Sequence, residues 1–422
     1  MMNSKTIFLN FFYCFPKIFF AVFTGNRAEY GLQYPVLKAI EAHSDLDYRL
    51  VVSGAHLEKD FGKTIKEIEK DGFIIHHVVE IDLDESKPNG TSHAIGTGVL
   101  SISKALIDIK PDVFLVYADR FEGFAAVIAA TQMNIPTAHI EGGDITEGGA
   151  LDDSVRHAMS KLAHIHFTTN DQATNRILAM GEAEWRVHTV GFPAIDMIQE
   201  DNFATPDELE VLYSLDLTKP IVLFTQHSVT TEFELATAQI EPSLEAIIEL
   251  ASRDIQVIVT YPNNDSGGRA IIDKIHKVLD RHEGKNIQIH QSLGRYNYHG
   301  ILALAKNLDY KIACVGNSSS GIKETPAFKC PTVNIGSRQQ GRLRAENVLD
   351  ADYNKDDITK STLACFHDAD FLLKCQNAVN PYGVGDAGKK IASILSSIDL
   401  TPSIILRKEM KILGESNKGW YR

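Results

Sequence analysis

The stretch GNSSSGIKE at residues 316–324 follows the apolar run YKIACV at residues 310–315. The apolar run predicts a buried strand, and the residues after the stretch predict a helix. Glycines and serines in such a turn leave backbone N–H groups at a helix N-terminus, where they favour a phosphate. Glu324 follows closely enough to accept a hydrogen bond from a ribose hydroxyl of the same ligand. The stretch therefore indicates a nucleoside diphosphate site, although the same residues also suit an ordinary helix cap without a ligand.

The alternation of strand, turn and helix extends in both directions from this stretch, which is typical of parallel sheets in doubly wound α/β domains. The predicted strands are residues 18–23, 48–53, 113–117, 136–140, 165–168, 187–190, 221–224, 255–260, 287–290, 310–315 and 332–335. The predicted helices are residues 27–42, 121–133, 153–163, 172–180, roughly 232–252, 271–281 and 298–305. No GxGxxG motif is present, so a dinucleotide site has no direct support.

The chain has 422 residues, which is too long for one hydrophobic core and predicts two domains. The alternating pattern pauses near residues 191–215, and a ligand is expected in the crevice between the strand ends of the two units. We predict an N-terminal extension at residues 1–16, a first Rossmann-like domain at residues 17–191, a second, nucleotide-binding Rossmann-like domain at residues 192–375, and a C-terminal helical segment at residues 376–422 that packs back on the first domain.

Composition excludes several classes of protein. The net charge of −13 argues against a nucleic-acid surface, although it permits a local cationic site for an anionic substrate. The five cysteines are odd in number and form no CxxC pair. They indicate buried thiols in a reducing, cytoplasmic compartment, and neither a disulfide framework nor a zinc site.

The apolar segment at residues 7–23 could be mistaken for a signal peptide or a membrane anchor. It is interrupted by Asn10, Pro16 and Lys17, and no small-residue cleavage site follows it. We expect no stable membrane span and interpret residues 17–23 as the first buried strand, with an interfacial anchor as a minor alternative.

Polar residues follow several predicted strands, at the ends where doubly wound enzymes keep their chemistry. Asp119, Glu141 and His227 come directly after three of these strands, and Asp152 and Asp153 lie shortly beyond. Three carboxylate-bearing segments and a histidine suit acid–base catalysis. The paired aspartates could instead cap the helix that follows.

Two further interpretations concern the remaining polar residues. Arg27, in the turn after the first strand, can place a cation over a diphosphate. His139 is expected to pack or position other groups, and no set of His and Asp residues has the spacing of a metal site.

Several segments together resemble the hydrolysing UDP-N-acetylglucosamine 2-epimerase family, from about residue 18 to about residue 375. These segments are TGNRAEYG, ADRFE, HIEGGD with DDSVRHAMSKLAH, TQH, YPNND, and GNSSSGIKE with GSRQQGR. The family makes N-acetylmannosamine and UDP at the head of sialic acid synthesis. A sibling group hydrolyses UDP-N,N'-diacetylbacillosamine on the way to legionaminic acid.

The resemblance implies two Rossmann-like domains of the glycosyltransferase-B type with the active site in the cleft between them. It implies carboxylate roles for Asp119, Glu141 and Asp152, and an acid or leaving-group role for His227. It places UDP on Arg27, Ser318, Ser319, Glu324 and Arg338. It requires no redox cofactor and no metal, and we expect a homo-oligomer, either a dimer or a tetramer.

The expected substrate is UDP-N-acetylglucosamine, with UDP-N,N'-diacetylbacillosamine as the alternative. A non-hydrolysing epimerase, which would return a UDP-linked product, is a rival within the family. A glycosyltransferase of the same architecture and a non-catalytic nucleotide-sugar-binding regulator are rivals outside it.

Overall fold

A computed structural model describes residues 17–57, 64–82, 89–146, 151–263, 266–282, 284 and 286–411. The predicted extension at residues 1–16 lies outside these residues, as does Cys14 within it. The segment at residues 147–150, just before the paired aspartates, also lies outside them. Across the described residues, no helix is both long enough and apolar enough to cross a bilayer.

The first sheet has seven parallel strands in the order β3-β2-β1-β4-β5-β6-β7. Its strands are β1 Ile18–Thr24, β2 Leu46–Ser53, β3 Ile75–Val79, β4 Val113–Tyr117, β5 Thr137–Ile140, β6 Ile165–Thr168 and β7 Val187–Thr189. The helices of this half are α1 Arg27–Ala42, α2 Ile65–Lys70, α3 Gly90–Ile109, α4 Phe121–Gln132, α5 Leu151–Leu162 and α6 Asp171–Ala179. The central strand β4 is buried at every residue, as a strand covered by helices on both faces must be.

The second sheet has six parallel strands in the order β10-β9-β8-β11-β12-β13. Its strands are β8 Ile221–Thr225, β9 Gln256–Thr260, β10 Ile287–His290, β11 Ile312–Gly316, β12 Thr332–Ile335 and β13 Val348–Ala351. The remaining helices are α7 Ala194–Gln199, α8 Pro206–Tyr213, α9 Ala236–Ser252, α10 Gly268–Leu279, α11 Gly294–Ala303, α12 Ser320–Lys323, α13 Lys355–His367, α14 Ala369–Asn377, α15 Ala387–Ser397 and α16 Pro402–Ile405. The fold is therefore the predicted pair of doubly wound domains of the glycosyltransferase-B type.

The last helices return to the first sheet. Ile391 and Leu395 of α15 are fully buried in the same hydrophobic cluster as Leu37 and Ile40 of α1. The carboxylate of Asp196, in α7, accepts hydrogen bonds from the first backbone N–H groups of α15. The C-terminal residues thus complete the core of the first domain.

Several elements differ from the sequence-based expectation, and the strands β3 and β13 are among those that were not predicted. The helix α3 was not predicted, because its glycines and hydroxyl residues have low helix propensity. The helix expected from about residue 232 begins at Ala236, since Glu232 has a non-helical φ of −130° within a 3-10 segment. The helix after the GNSSSGIKE stretch is the single turn α12, followed by a 3-10 turn at Thr325–Phe328.

Four of the cysteines are described, and all four are free, buried thiols: Cys314, Cys330, Cys365 and Cys375. Burial raises the pKa of Cys314 to about 12, so this thiol stays protonated and unreactive at neutral pH. The prediction of buried thiols is confirmed for these four residues.

Candidate active site

Two carboxylates lie at the carboxyl ends of neighbouring strands of the first sheet. Asp119 follows β4 and Glu141 follows β5, and the two strands pair in parallel. Both turns contain a left-handed residue, Ala118 with φ 58° and Glu141 with φ 66°. Residues other than glycine adopt this conformation only where the surrounding structure enforces it, commonly at functional sites.

His139 helps to hold this backbone in place. It is fully buried in β5, and its Nε2 donates to the carbonyl oxygen of Ala118 at 2.7 Å. Its Nδ1 accepts from the hydroxyl of Ser160 at 3.0 Å. Burial lowers the pKa of His139 to about 3, so the ring is neutral and positions the turn that carries Asp119.

Arg156 connects the two strand-end carboxylates. This arginine of α5 is buried, and its guanidinium forms a short ion pair with Asp119. The same group lies 3.8 Å from Glu141 Oε1 and donates to the Glu141 carbonyl oxygen at 3.3 Å. A buried guanidinium requires such partners, so Arg156 fixes the distance between Asp119 and Glu141.

Lys323 reaches the same carboxylate from the second domain. It is the last residue of α12, and its Nζ forms a short ion pair with Glu141 and a 2.6 Å contact with Asp144. Burial alone would raise the pKa of Asp144, but the charges of Lys323, Arg342 and Arg156 hold it well below its usual range. Asp144 is therefore ionised, and its contact with Lys323 joins the strand-end carboxylates of the first domain to the GNSSSGIKE segment of the second.

The paired aspartates at the start of α5 differ in their surroundings. Asp153 is buried and accepts the backbone N–H of Thr146 at 2.6 Å, which is a structural role at this turn. Asp152 is only partly buried, and its negative charge acts on Arg120 and Glu122 at the end of β4. Asp153 also acts electrostatically on Arg156, so both aspartates lie near the strand-end groups.

His227 lies at the end of β8, beside the GNSSSGIKE segment. Its backbone N–H and carbonyl both bond to the side chain of Asn317, at 2.6 and 2.9 Å. Its Nδ1 lies 3.0 Å from the backbone nitrogen of Asn263, whose N–H it can accept, and 3.2 Å from Asn263 Oδ1. Burial, together with the charge of Arg338, lowers the pKa of His227 to about 3, so the ring is a neutral hydrogen-bond donor.

The GNSSSGIKE segment presents backbone donors, as its composition predicts. Within the described part of the chain, the N–H groups of Ser318 and Ser319 donate to no backbone carbonyl. Gly316 before them has a φ of 133°, and a side chain there would collide with the carbonyl oxygen of Thr225. The turn thus depends on glycine at this position and leaves these two N–H groups without a backbone acceptor.

Glu324 is held in a defined orientation at the end of α12. Its Oε2 accepts hydrogen bonds from His299 Nε2 and from the hydroxyl of Ser320, both at 3.0 Å. Burial would raise the pKa of Glu324, but the hydrogen bonds from His299 and Ser320, together with the nearby charge of Lys323, lower it. The residue is therefore an ionised acceptor, as a ribose ligand requires.

The two predicted arginines have different outcomes. Arg338 is buried and donates to the carbonyl oxygen of Asn317 at 3.1 Å, so it lies against the GNSSSGIKE segment. The side chain of Arg27 lies outside the described residues, and only its place at the start of α1 is described. Its contact with a diphosphate remains a prediction.

A second pair of carboxyl groups, not singled out from the sequence, lies beside this site. Glu29 and Glu122 are buried, and Glu29 Oε2 accepts the backbone N–H of Gly25 at 3.0 Å. Burial, with the nearby charge of Glu122, raises the pKa of Glu29 to about 8. Among the described residues, no group of three or more His, Cys, Asp or Glu side chains has the arrangement of a metal site.

The strand-end carboxylates were predicted from the sequence, but the cations that form ion pairs with them were not. Arg156 and Lys323 stand inside the quoted motifs, where both resemble exposed helix residues. The available signal for Arg156 is its spacing of four residues from Asp152, which places both on one face of α5. For Lys323 no local signal exists, because its partners lie in the other domain.

Comparisons with known proteins identify the family to which the chain is similar. The sequence model of the family described as UDP-N-acetylglucosamine 2-epimerase matches residues 38–396. A hydrolysing UDP-N,N'-diacetylbacillosamine 2-epimerase of Legionella pneumophila is 34% identical over 90% of this chain and 96% of that protein. A hydrolysing GDP/UDP-N,N'-diacetylbacillosamine 2-epimerase of Campylobacter jejuni is 33% identical over 79% of this chain and 84% of that protein.

A solved structure shows the same fold. The crystal structure of UDP-GlcNAc 2-epimerase from Neisseria meningitidis bound to UDP-GlcNAc superposes with a TM-score of 0.74. The superposition covers 89% of this chain and 99% of the Neisseria meningitidis chain, and the two sequences are 20% identical. The shared architecture therefore extends over both domains.

Proposed function

The chain belongs to the UDP-N-acetylglucosamine 2-epimerase family, and from this premise we propose that it is a hydrolysing 2-epimerase. It converts a UDP-linked 2-acetamido sugar and water to the free sugar inverted at C2, and it releases UDP. Both relatives described above, at 33% and 34% identity, are hydrolysing enzymes.

The favoured substrate is UDP-N,N'-diacetylbacillosamine, because both of those relatives act on a diacetylbacillosamine nucleotide. This choice reverses the order expected from sequence alone. UDP-N-acetylglucosamine is the second candidate, since the matching family carries that description.

The reaction proceeds by elimination and then hydration. A carboxylate removes the C2 proton while the bond from C1 to the diphosphate oxygen breaks, and a C1–C2 double bond forms. Water then adds its oxygen to C1, and a second acid–base group delivers a proton to C2 from the opposite face. Asp119, Glu141 and Asp152 share the carboxylate roles in these steps.

The second domain binds the leaving group. The N–H groups of Ser318 and Ser319, with the cations Arg338 and Arg27, stabilise the charge that develops on the diphosphate. Glu324 accepts from the ribose. His227, as a neutral ring with its proton on Nε2, donates a hydrogen bond to the departing phosphate oxygen.

One observation carries the proposal: Glu141 at the end of β5 directly contacts Lys323 of the GNSSSGIKE segment. The contact brings the proposed acid–base carboxylates beside the GNSSSGIKE segment at residues 316–324, the proposed phosphate loop, in one cleft. An elimination needs a base close to the leaving group, and the contact between Glu141 and Lys323 supports this assignment of the two sites.

The proposal is tested by incubating the protein separately with each UDP-sugar in heavy water and following the products by NMR. We expect free 2-epimerised sugar, UDP and deuterium at C2, with faster turnover of the diacetylbacillosamine nucleotide. A UDP-linked epimer would identify a non-hydrolysing enzyme. Product without deuterium at C2 would rule out the elimination route and indicate direct hydrolysis of the glycosyl–phosphate bond.

Variants of the carboxylates test the assigned roles. Asp119→Asn and Glu141→Gln keep the side-chain size but remove the titrating group, and each should lower turnover by about 10²- to 10⁴-fold. The affinity for UDP, measured by calorimetry, should stay close to that of the wild type. Loss of UDP affinity in step with turnover would place these residues in nucleotide binding instead.

A further inference from the structure

Lys323 is a buried cation whose described anionic partners belong to the other domain. Only 3% of its side chain is exposed, and it follows the phosphate-loop serines on the single turn α12. Its ammonium contacts Glu141 and Asp144, which lie about 180 residues earlier at the carboxyl edge of the first sheet. Such a buried ion pair depends on both partners staying in place.

The surroundings of Lys323 are formed by the segments that connect the two domains. Its Nζ lies 4.7 Å from the ring centre of Phe192 and 5.4 Å from that of Tyr382. The backbone N–H of Phe192 donates to the carbonyl oxygen of Tyr382 at 2.7 Å, and Asn380 donates to the Lys323 carbonyl oxygen at 2.8 Å. Lys323 thus lies where the two segments that connect the domains, one with Phe192 and the other with Asn380 and Tyr382, contact each other.

The main chain of Lys323 is joined directly to the proposed phosphate loop. Its backbone N–H donates to the carbonyl oxygen of Ser319 at 2.9 Å, and the N–H of Gly321 donates to the carbonyl oxygen of Ser318 at 3.1 Å. A ligand that orders Ser318 and Ser319 therefore also orders α12, the turn that orients the side chain of Lys323. One rigid turn connects the nucleotide to the carboxylate of the other domain.

We propose that Lys323 is a positioning residue that couples occupation of the phosphate loop to the placement of Glu141 for proton transfer. The inference rests on the proposed function and deepens it, because it assigns a role that the family comparison does not supply. Asp144 serves as the anchor that holds the ammonium, and Glu141 is the group that the ammonium orients. Arg156 restrains the same carboxylate from within the first domain.

The direct test is hydrogen exchange with and without UDP, which needs no turnover. In the wild type, UDP should protect residues 316–324 and also residues 141–146 in the other domain. In Lys323→Met, protection of residues 316–324 should persist, and protection of residues 141–146 should be lost. Equal protection of residues 141–146 in the wild type and in Lys323→Met would overturn the proposal.

Kinetics give a second readout. Lys323→Met should lower turnover by about 100-fold, the effect of a displaced catalytic group, while UDP affinity stays within about threefold. Lys323→Arg keeps the charge and should recover most of the turnover. A parallel loss of UDP affinity, or an arginine variant no better than methionine, would overturn the proposal.

Two further variants keep the test decisive. Asp144→Asn keeps Lys323 but removes the charge that anchors its ammonium, so UDP should protect residues 141–146 less than in the wild type and more than in Lys323→Met. Lys355→Met is the matched control, because Lys355 pairs with Glu249 at 2.7 Å away from the cleft and should behave as the wild type. Absence of turnover in the wild type would reject the proposed function alone, since hydrogen exchange still tests the coupling.

Discussion

Glu29 and Glu122 show how burial changes the pKa of a carboxyl group. Glu29 lies near the start of α1, 4% exposed, and Glu122 lies near the start of α4, 2% exposed. Two adjacent carboxyl groups in a site of low polarity cannot both ionise easily, so at least one retains its proton near neutral pH. Burial, with the charge of Glu122, raises the pKa of Glu29 to about 8, which makes Glu29 the protonated member.

This protonation predicts a pH dependence of stability. In the unfolded chain Glu29 ionises near its ordinary pKa of 4.5, whereas in the folded protein it keeps its proton up to about pH 8. The folded state therefore binds more protons between these values, and its stability should fall as the pH rises through them. The slope contributed by Glu29 is at most about 1.4 kcal/mol per pH unit.

Replacing Glu29 by Gln should remove that slope. The amide oxygen can still accept the Gly25 N–H, so the variant should gain stability relative to the wild type as the pH rises from 5 to 8. Urea unfolding at several pH values measures the difference, and Glu41→Gln, an exposed position on the same helix, is the control. A constant difference between Glu29→Gln and the wild type across this range would contradict the assignment.

In the phosphate loop, the turn is expected to contribute more to phosphate binding than the short helix α12. The helix α12 has four residues, so its macrodipole is small, and the exposed N–H groups of Ser318 and Ser319 are the stronger attraction for a phosphate. The neighbouring helix α11 supplies His299, which fixes Glu324 at the end of the turn. The loop and α11 together define where the nucleotide can lie.

Glu324→Ala tests this element. Loss of the carboxylate removes one charge-assisted hydrogen bond to the ribose and also leaves the buried His299 without its acceptor. We expect UDP binding to weaken by about 1–3 kcal/mol in calorimetry. Glu245→Ala, an exposed position on α9, serves as the control, and an unchanged UDP affinity in Glu324→Ala would remove the ribose assignment.

At the scale of the whole molecule, charged contacts close the cleft between the domains. Besides Lys323, Arg342 of the second domain donates to the carbonyl oxygen of Ile145 at 2.7 Å. Both contacts join the segment after β5 to loops at the carboxyl edge of the second sheet. A cleft held in this way can exclude water while the elimination takes place.

Domain closure should be visible by small-angle scattering. We expect a smaller radius of gyration at saturating UDP than without nucleotide, because the nucleotide orders the loop from which Lys323 projects. The profile calculated from the closed structure should fit the UDP-bound data better. Glu324→Ala at the same UDP concentration is the control, and identical profiles with and without UDP would argue against closure.

Local patterns in the sequence are enough to predict the architecture and the sheet edges that carry the candidate site. The helix α1 and the strands β4, β6, β10 and β12 have the predicted bounds, because each depends on a local pattern of apolar residues and turn signals. In a parallel sheet the carboxyl ends of all strands meet at one edge, so the placement of Asp119, Glu141 and His227 at strand ends followed from the same pattern. The helix α3 escaped prediction, since packing stabilises it: Gly98 brings it close against Ala125 of α4.

The tertiary structure alone decided which charges meet. Lys323 and Glu141 are separated by 182 positions, and neither has a sequence neighbour that indicates the other. The difference in burial between Asp152 and Asp153 likewise depends on how the first turn of α5 packs, which buries Asp153 and leaves Asp152 partly exposed. Hydrophobic patterning acts over a few residues, whereas a buried ion pair is set by how two complete domains pack, and a local sequence window does not contain that information.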